Sequence, residues 1–153
     1  MADFINKVLA VLLAMVLLII APLNLHNLSI RTEKKMKALN EMQLWIDKVC
    51  DKGSITIKDL DELNLNIAAT GLMTEITVED FRMLASSNST VLAKMCNVSY
   101  DRIIEEGGKH EIEPTNVIRV HVKEKVQSSE ARLWSKIIGV DDVYDEYLSS
   151  MRR

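Results

Sequence analysis

An uninterrupted apolar run near the N-terminus constrains the fold of this chain more than any other feature. Every residue from Val8 to Leu23 (VLAVLLAMVLLIIAPL) is apolar, and further apolar residues between Phe4 and Leu28 can lengthen the run at both ends. At about 16 residues it lies at the short limit of the roughly 17 to 25 residues that span a bilayer, so one tilted span is feasible. The run therefore predicts a single transmembrane helix.

Two other interpretations of the run are a buried core helix and a cleaved secretory signal. A helix that is apolar on every side needs protein all round it, and the remaining residues, about 125, form too small a domain for that. Signal cleavage requires small residues followed by an accessible chain, whereas Ala21 leads directly into Pro22 and the run contains no Ala-x-Ala triplet. We expect an uncleaved anchor, and the sequence leaves open whether the N-terminus is cleaved elsewhere.

Periodic patterns after the run predict two helices in succession. From Arg31 to Cys50, apolar residues recur every three or four positions, which indicates an amphipathic helix that continues the membrane helix as far as Gly53. Thr56 then caps a short helix with Asp59 three positions on, and Gly71 ends it. The apolar stripe of the first helix comprises Met36, Leu39, Met42, Trp45, Ile46 and Val49.

The rest of the chain contains two strands with clear alternation of apolar and polar residues. They cover 72–84 and 116–127, and we expect them to pair antiparallel. The stretch 85–115 is expected to be mostly irregular, with a candidate strand at 91–98. Residues 128–139 predict a capped helix, and the tail keeps a helical period through Val140, Val143, Tyr144, Tyr147 and Leu148.

These elements predict an α+β fold. Residues 1–28 form the N-terminal anchor helix, and residues 29–153 form one small domain in which 29–50 are a helical stalk. In that domain we expect a small antiparallel sheet with short helices packed on one face.

Composition and motifs give no indication of nucleic-acid binding or catalysis. The formal net charge is -3, with 19 basic and 22 acidic residues mixed along the chain, so the basic surface that nucleic acid requires is not indicated. Nucleotide-binding, serine-hydrolase and zinc-protease motifs do not occur. We therefore expect a non-enzymatic protein with no cofactor, no metal and no small-molecule substrate.

Residues that often carry chemistry are present but scattered. Cys50 and Cys96 permit one disulfide in an exported domain, and two buried free thiols are an equally open alternative. The three histidines share no metal-ligand spacing, so we expect solvated or interfacial imidazoles at His26, His110 and His121. The acidic clusters are likewise expected to be solvated: Asp59-Asp61-Glu62, Glu105-Glu106 and Asp141-Asp142.

Four segments carry a resemblance to a known family: MADFINKVLAVLLAMVLLIIAPLNL, LWIDKVCDKGSITIKDLDELNLNIAATG, VIRVHV and LWSKIIG. Together they resemble small pseudopilin-like proteins of Gram-positive bacteria, which look like minor subunits of tight-adherence (Tad) pili. The resemblance implies an N-terminal helix that lies in the membrane and later packs into a filament. It also implies a globular head displayed outside the cytoplasmic membrane.

The flanking charges and the resemblance predict opposite orientations of the chain in the membrane. Arg31, Lys34, Lys35 and Lys37 follow the run while Lys7 precedes it, and basic flanks tend to stay cytoplasmic. That rule predicts a cytoplasmic domain. We follow the resemblance, which implies a single-pass protein of the cytoplasmic membrane with an extracellular C-terminal domain, at the cell surface once assembled.

The anchor helix is the segment most expected to act in assembly. Inside a filament it could exchange lipid contacts for contacts between helices, and small residues such as Ala10 and Ala14, four positions apart, allow close approach. The side chains assigned to anchoring and assembly are Val8, Ala10, Leu13, Ala14, Leu17 and Ile20.

Three functions follow as hypotheses. The first is a pilin-like structural subunit of a surface filament or secretion apparatus, whose partners are the membrane and other pilin-like or secretion-complex subunits. The second is a single-span accessory or adaptor protein of a secretion or conjugation complex that never enters a filament. The third is a membrane-tethered enzyme, which would need polar residues that converge in a pocket.

Overall fold

A computed structural model describes residues 2–86, 89–125 and 144–152. These residues form two units: residues 2–33, and a head that comprises 34–125 and 144–152. Helix α1 (Ala2–Lys52) contributes to both units. The apolar run and the amphipathic segment therefore belong to one continuous helix, as predicted, and the α+β fold is confirmed.

Residues 34–52 of α1 supply one side of the core of the head. The buried side chains on this face are Ala38, Met42, Trp45, Ile46 and Val49. Met36 was predicted to lie on the same stripe but is 63% exposed, because the buried face begins at Ala38. The helix ends where Gly53 adopts a φ of +72° and its N–H binds the Val49 carbonyl oxygen at 2.8 Å.

The second helix begins and ends as the sequence predicts. Strand β1 (Ser54–Thr56) leads into α2 (Ile57–Ala69), and Asp59 accepts a hydrogen bond from the Thr56 backbone N–H. Gly71, with a φ of +78°, follows the last turn. The face of α2 that enters the core comprises Asp59, Leu60, Leu63 and Ile67.

A four-stranded antiparallel sheet forms the other side of the core. Its strands are β2 (Thr74–Ser86), β3 (Ser89–Asn97), β5 (Val117–Glu124) and β6 (Asp145–Met151), in the order β3-β2-β5-β6. The predicted antiparallel pairing is that of β2 with β5. The side chains that this pair contributes to the core include Val78, Ile118, Val120 and Val122.

A short helix and a small second sheet complete the head. Helix α3 (Tyr100–Glu105) is followed by strand β4 (Lys109–Glu111), which pairs antiparallel with β1 and places His110 opposite Ile55. The described elements thus cover much of the stretch 85–115, which was expected to be mostly irregular. That expectation was wrong, although the candidate strand at 91–98 corresponds to β3.

The C-terminal tail also differs from the prediction. Its helical period is not realised over 145–151, because these residues form β6 and pair with β5 from Val117↔Met151 to Lys123↔Asp145. The predicted helix at 128–139 lies outside the described residues, as do Val140 and Val143.

Candidate functional site

The apolar segment of α1 is exposed on every side. Its large apolar side chains range from 44% exposed at Val8 to 74% at Leu18. Within the described residues, this is the one helix long and apolar enough to cross a membrane. The residues assigned to anchoring and assembly all lie on it and all are exposed: Val8, Ala10, Leu13, Ala14, Leu17 and Ile20.

Such exposure would be unfavourable in water. Each large apolar side chain left in water forgoes roughly 1.5 to 3 kcal/mol that burial would provide. A helix that is apolar on every side is therefore stable only where lipid or other protein covers it. At about 1.5 Å per residue, the run from Val8 to Leu23 is roughly 24 Å long, slightly less than the hydrocarbon thickness of a bilayer.

A second feature is a polar cluster in the head, three of whose members, Asp80, His110 and Asn116, are buried. His110 Nε2 lies 3.0 Å from Asp80 Oδ2, and His110 Nδ1 lies 2.6 Å from Glu106 Oε2. The Asn116 amide donates hydrogen bonds to both Asp80 oxygens, at 3.0 and 3.2 Å. Cys96 completes the group, with its Sγ within 4.8 Å of ligand atoms of Asp80 and His110.

The ionisable groups of this cluster shift one another's pKa values. The hydrogen bond to Asp80 raises the pKa of His110, against the opposing effect of burial, and Glu106 raises that pKa further. Burial works to raise the pKa of Glu106, but hydrogen bonds from His110 and Arg102 outweigh it and hold that pKa low. Burial, and then the charge of Asp80, raise the pKa of Cys96, so the thiol stays protonated at neutral pH.

Secondary structure brings these five residues together from separate parts of the sequence. Asp80 lies at a bulge in β2 and pairs with Cys96 of β3, while His110 is the middle residue of β4. Glu106 caps the C-terminal end of α3, and Asn116 directly precedes β5. Non-local pairing therefore decides the composition of the cluster.

The sequence contains a signal for part of this cluster, carried by Asp80 and Asn116. Because side chains alternate along a strand, Asp80 falls on the same face as Ile76 and Val78, and Asn116 on the same face as Ile118. A carboxylate and an amide on apolar faces indicate buried polar groups that need partners. No local spacing pointed to His110, Cys96 or Glu106.

The two cysteines are free thiols in the structure. Cys50 is buried in the head, with its Sγ 3.7 Å from the Ser150 carbonyl oxygen of β6, whereas Cys96 belongs to the polar cluster. The disulfide that the sequence permitted is therefore not formed. The Cys50 thiol lies beside Ser150 of β6, whereas the Cys96 thiol lies beside Asp80 and His110.

Some polar residues expected in solvent are buried or paired. His110 is 6% exposed and Asp59 5%, contrary to the prediction for both. Burial works to raise the pKa of Asp59, but hydrogen bonds from Lys52 and Thr56 outweigh it and lower that pKa. The prediction of exposure holds for the other described members of the acidic groups, Asp61, Glu62, Glu105 and Glu106, while Asp141 and Asp142 lie outside the described residues.

His121 is partly buried on the opposite face of the sheet. Its ring stacks on Tyr147 with centroids 4.0 Å apart, and its Nε2 lies 2.6 Å from Asp145 Oδ1. Both contacts cross from β5 to β6, so this histidine helps to hold the edge strand.

Two grooves open between α2 and the sheet of the head. One, of about 220 Å³, is lined by side chains that include Leu60, Leu63 and Tyr100. The other, of about 450 Å³, is lined by residues that include Leu72, Met73 and Lys125. The polar cluster belongs to neither lining, so these grooves do not bring its ionisable groups to a ligand.

Comparison with known protein families, curated proteins and solved structures gives no match.

Proposed function

We propose that this protein is a membrane-anchored, pilin-like structural subunit, in which the apolar segment of α1 anchors the chain and packs against neighbouring subunits. The observation that carries the proposal is the construction of α1. One helix supplies both an apolar segment exposed on every side and the face that forms part of the core of the head. This is the arrangement that the resemblance to small pseudopilin-like proteins implies.

The chemistry of the apolar segment supports both anchoring and assembly. Lipid covers its side chains while the subunit is in the membrane, and helices of other subunits can replace that lipid in a filament. Ala10 and Ala14 provide a strip of small side chains where another helix can approach closely. The head would then be the part presented at the cell surface.

Cysteine cross-linking in sheared filaments tests this proposal. Ala14→Cys places a thiol on the strip of small residues, and Ile19→Cys places one roughly opposite on the same helix, at about 100° per residue. We expect oxidation of the filament fraction to link Ala14→Cys subunits into dimers much more efficiently than Ile19→Cys subunits. The unmodified protein, whose Cys50 is buried, serves as the control for native thiols.

Either of two results would reject the filament subunit. The first is the absence of the protein from sheared filaments while it remains in the membrane. The second is equal cross-linking of Ala14→Cys and Ile19→Cys, because an assembled helix must present one face preferentially to its neighbours.

The accessory or adaptor protein is the second candidate, and the flanking charges favour it. The basic residues Arg31, Lys34, Lys35 and Lys37 follow the apolar run, and this bias favours a cytoplasmic head. Met73 is 81% exposed in the head, so Met73→Cys offers an accessible thiol for labelling with a reagent that cannot cross membranes. Labelling in intact cells supports the filament subunit, and labelling only after the membrane is opened supports the adaptor.

A further inference from the structure

We propose that Asp80, Cys96 and His110 form a zinc-binding site in the head, a property beyond the anchoring and assembly described above. Each residue offers one ligand atom, and these atoms lie within 4.8 Å of one another. A carboxylate oxygen, a thiolate sulfur and an imidazole nitrogen are the three ligand types that proteins use for Zn²⁺.

The spacing of the ligand atoms suits a small adjustment to tetrahedral geometry. Zinc–ligand bonds of about 2.0 to 2.3 Å place ligand atoms roughly 3.3 to 3.8 Å apart. His110 Nε2 and Asp80 Oδ2 are already 3.0 Å apart, where a proton now links them. Zinc would replace that proton and the thiol proton of Cys96, and the Cys96 Sγ, which lies within 4.8 Å of the other two ligand atoms, would have to approach them by up to about 1 Å.

Glu106 supplies the outer support that a zinc-bound histidine commonly has. Its Oε2 lies 2.6 Å from His110 Nδ1, so it fixes the ring with Nε2 directed at Asp80. Metal-bound histidines usually donate their second ring nitrogen to a carboxylate in this way. Arg102 in turn binds Glu106, with Nε and Oε1 2.5 Å apart.

Asn116 provides a second, independent observation in favour of a ligand at this site. Its side chain is 3% exposed, and its amide nitrogen orients Asp80 through two hydrogen bonds. Its Oδ1 is buried and has no hydrogen-bond partner among the described residues. Buried polar atoms are normally satisfied, and a water molecule on a three-ligand zinc ion is a donor of the kind that this oxygen lacks.

The location of the site allows a bound zinc ion to stabilise the head. Asp80 and Cys96 belong to neighbouring strands of the large sheet, whereas His110 belongs to β4 of the small sheet. An ion bound to all three would link the two sheets of the head through bonds stronger than the present hydrogen bonds. Because zinc binds the folded arrangement, it raises the stability of the head.

Zinc titration of the full-length protein in detergent, prepared without a histidine tag and stripped of metal, tests the proposal. We expect one zinc ion per chain by elemental analysis after dialysis, and a rise in the Tm of the head of about 4 °C or more. Magnesium at the same concentration is the matched control, because it disfavours thiolate and imidazole ligands and should leave the Tm unchanged.

Cobalt reports which thiol binds. A Co²⁺–thiolate bond gives a charge-transfer absorption in the near ultraviolet, which we expect in the unmodified protein and in Cys50→Ser but not in Cys96→Ser. Glu106→Gln keeps the three ligands and is expected to bind zinc about 10- to 100-fold more weakly. If Cys96→Ser does not fold, zinc must still protect Cys96, and not Cys50, from alkylation in the unmodified protein.

Several results would overturn the site. They are zinc content well below one per chain, a cobalt band that persists in Cys96→Ser, unchanged zinc affinity in Glu106→Gln, and alkylation of Cys96 at the same rate with and without zinc. In any of these cases the cluster is only a network of hydrogen-bonded charges.

Discussion

Asp59 shows how a single buried side chain joins two helices of the head. Its Oδ2 accepts hydrogen bonds from the Thr56 backbone N–H and hydroxyl, at 2.8 and 2.6 Å, and from Lys52 Nζ at 2.7 Å. Its carbonyl oxygen accepts the Trp45 indole N–H at 2.6 Å. The residue therefore completes the capping box of α2, whose N-cap is Thr56, and also binds two side chains of α1.

We expect Asp59→Asn to destabilise the head by about 1–2 kcal/mol at neutral pH, the usual cost of a lost helix cap. The folded pKa of Asp59 lies below its ordinary value of 3.8, so its contribution is full above that value and is lost as pH falls through the folded pKa. The difference between the unmodified protein and the variant should therefore shrink below about pH 4. Urea unfolding at several pH values measures it.

Asp51→Asn is the matched control for this prediction. Asp51 is an exposed aspartate near the end of α1, so its substitution should change stability by less than about 0.5 kcal/mol. A stability difference for Asp59→Asn that stays constant from pH 7 to pH 3 would show that the charge of Asp59 does not contribute.

At the scale of elements, the amphipathic part of α1 places two methionines in different environments. Met42 is fully buried in the core of the head, whereas Met36, less than two turns earlier, is 63% exposed. The same residue type on one helix thus meets the core at one position and solvent at the other. This pair separates the effect of burial from the effect of helix propensity, because Met and Ala are both good helix formers.

We expect Met42→Ala to lower the free energy of unfolding by about 2–5 kcal/mol, because it removes packing contacts and leaves a cavity. Met36→Ala should change it by less than about 0.5 kcal/mol. Thermal or urea unfolding of the full-length protein in detergent measures both. Equal effects of the two substitutions would contradict the structure, in which Met42 lies in the core and Met36 is exposed.

Elements with strong local patterns could be predicted, and those that depend on distant partners could not. The helix caps at Thr56 and Gly71 and the alternation in β5 are local signals, and each was read correctly. Strand β6 has mostly exposed side chains and so lacks an alternating pattern, and its pairing with β5 is decided by a partner about 30 residues away. The polar cluster could not be predicted for the same reason, because His110 meets Asp80 only after both sheets form.

At the scale of the whole molecule, α1 contains exposed apolar side chains in two settings. Leu13 in the apolar segment is 57% exposed, and Leu44 in the head is 58% exposed. Protein contacts alone cannot distinguish these two leucines. If α1 spans a membrane as proposed, however, Leu13 lies in hydrocarbon whereas Leu44 lies in water.

A lysine at each of these positions therefore tests what surrounds the helix. We expect Leu13→Lys to reduce the fraction of protein that resists alkaline extraction from membranes, because a lysine near the centre of a span costs about 2.5–3.5 kcal/mol. Leu44→Lys should leave that fraction unchanged, since an exposed lysine in a helix is well tolerated in water. Because the two leucines are almost equally exposed, an equal response to both substitutions would mean that lipid does not surround the apolar segment.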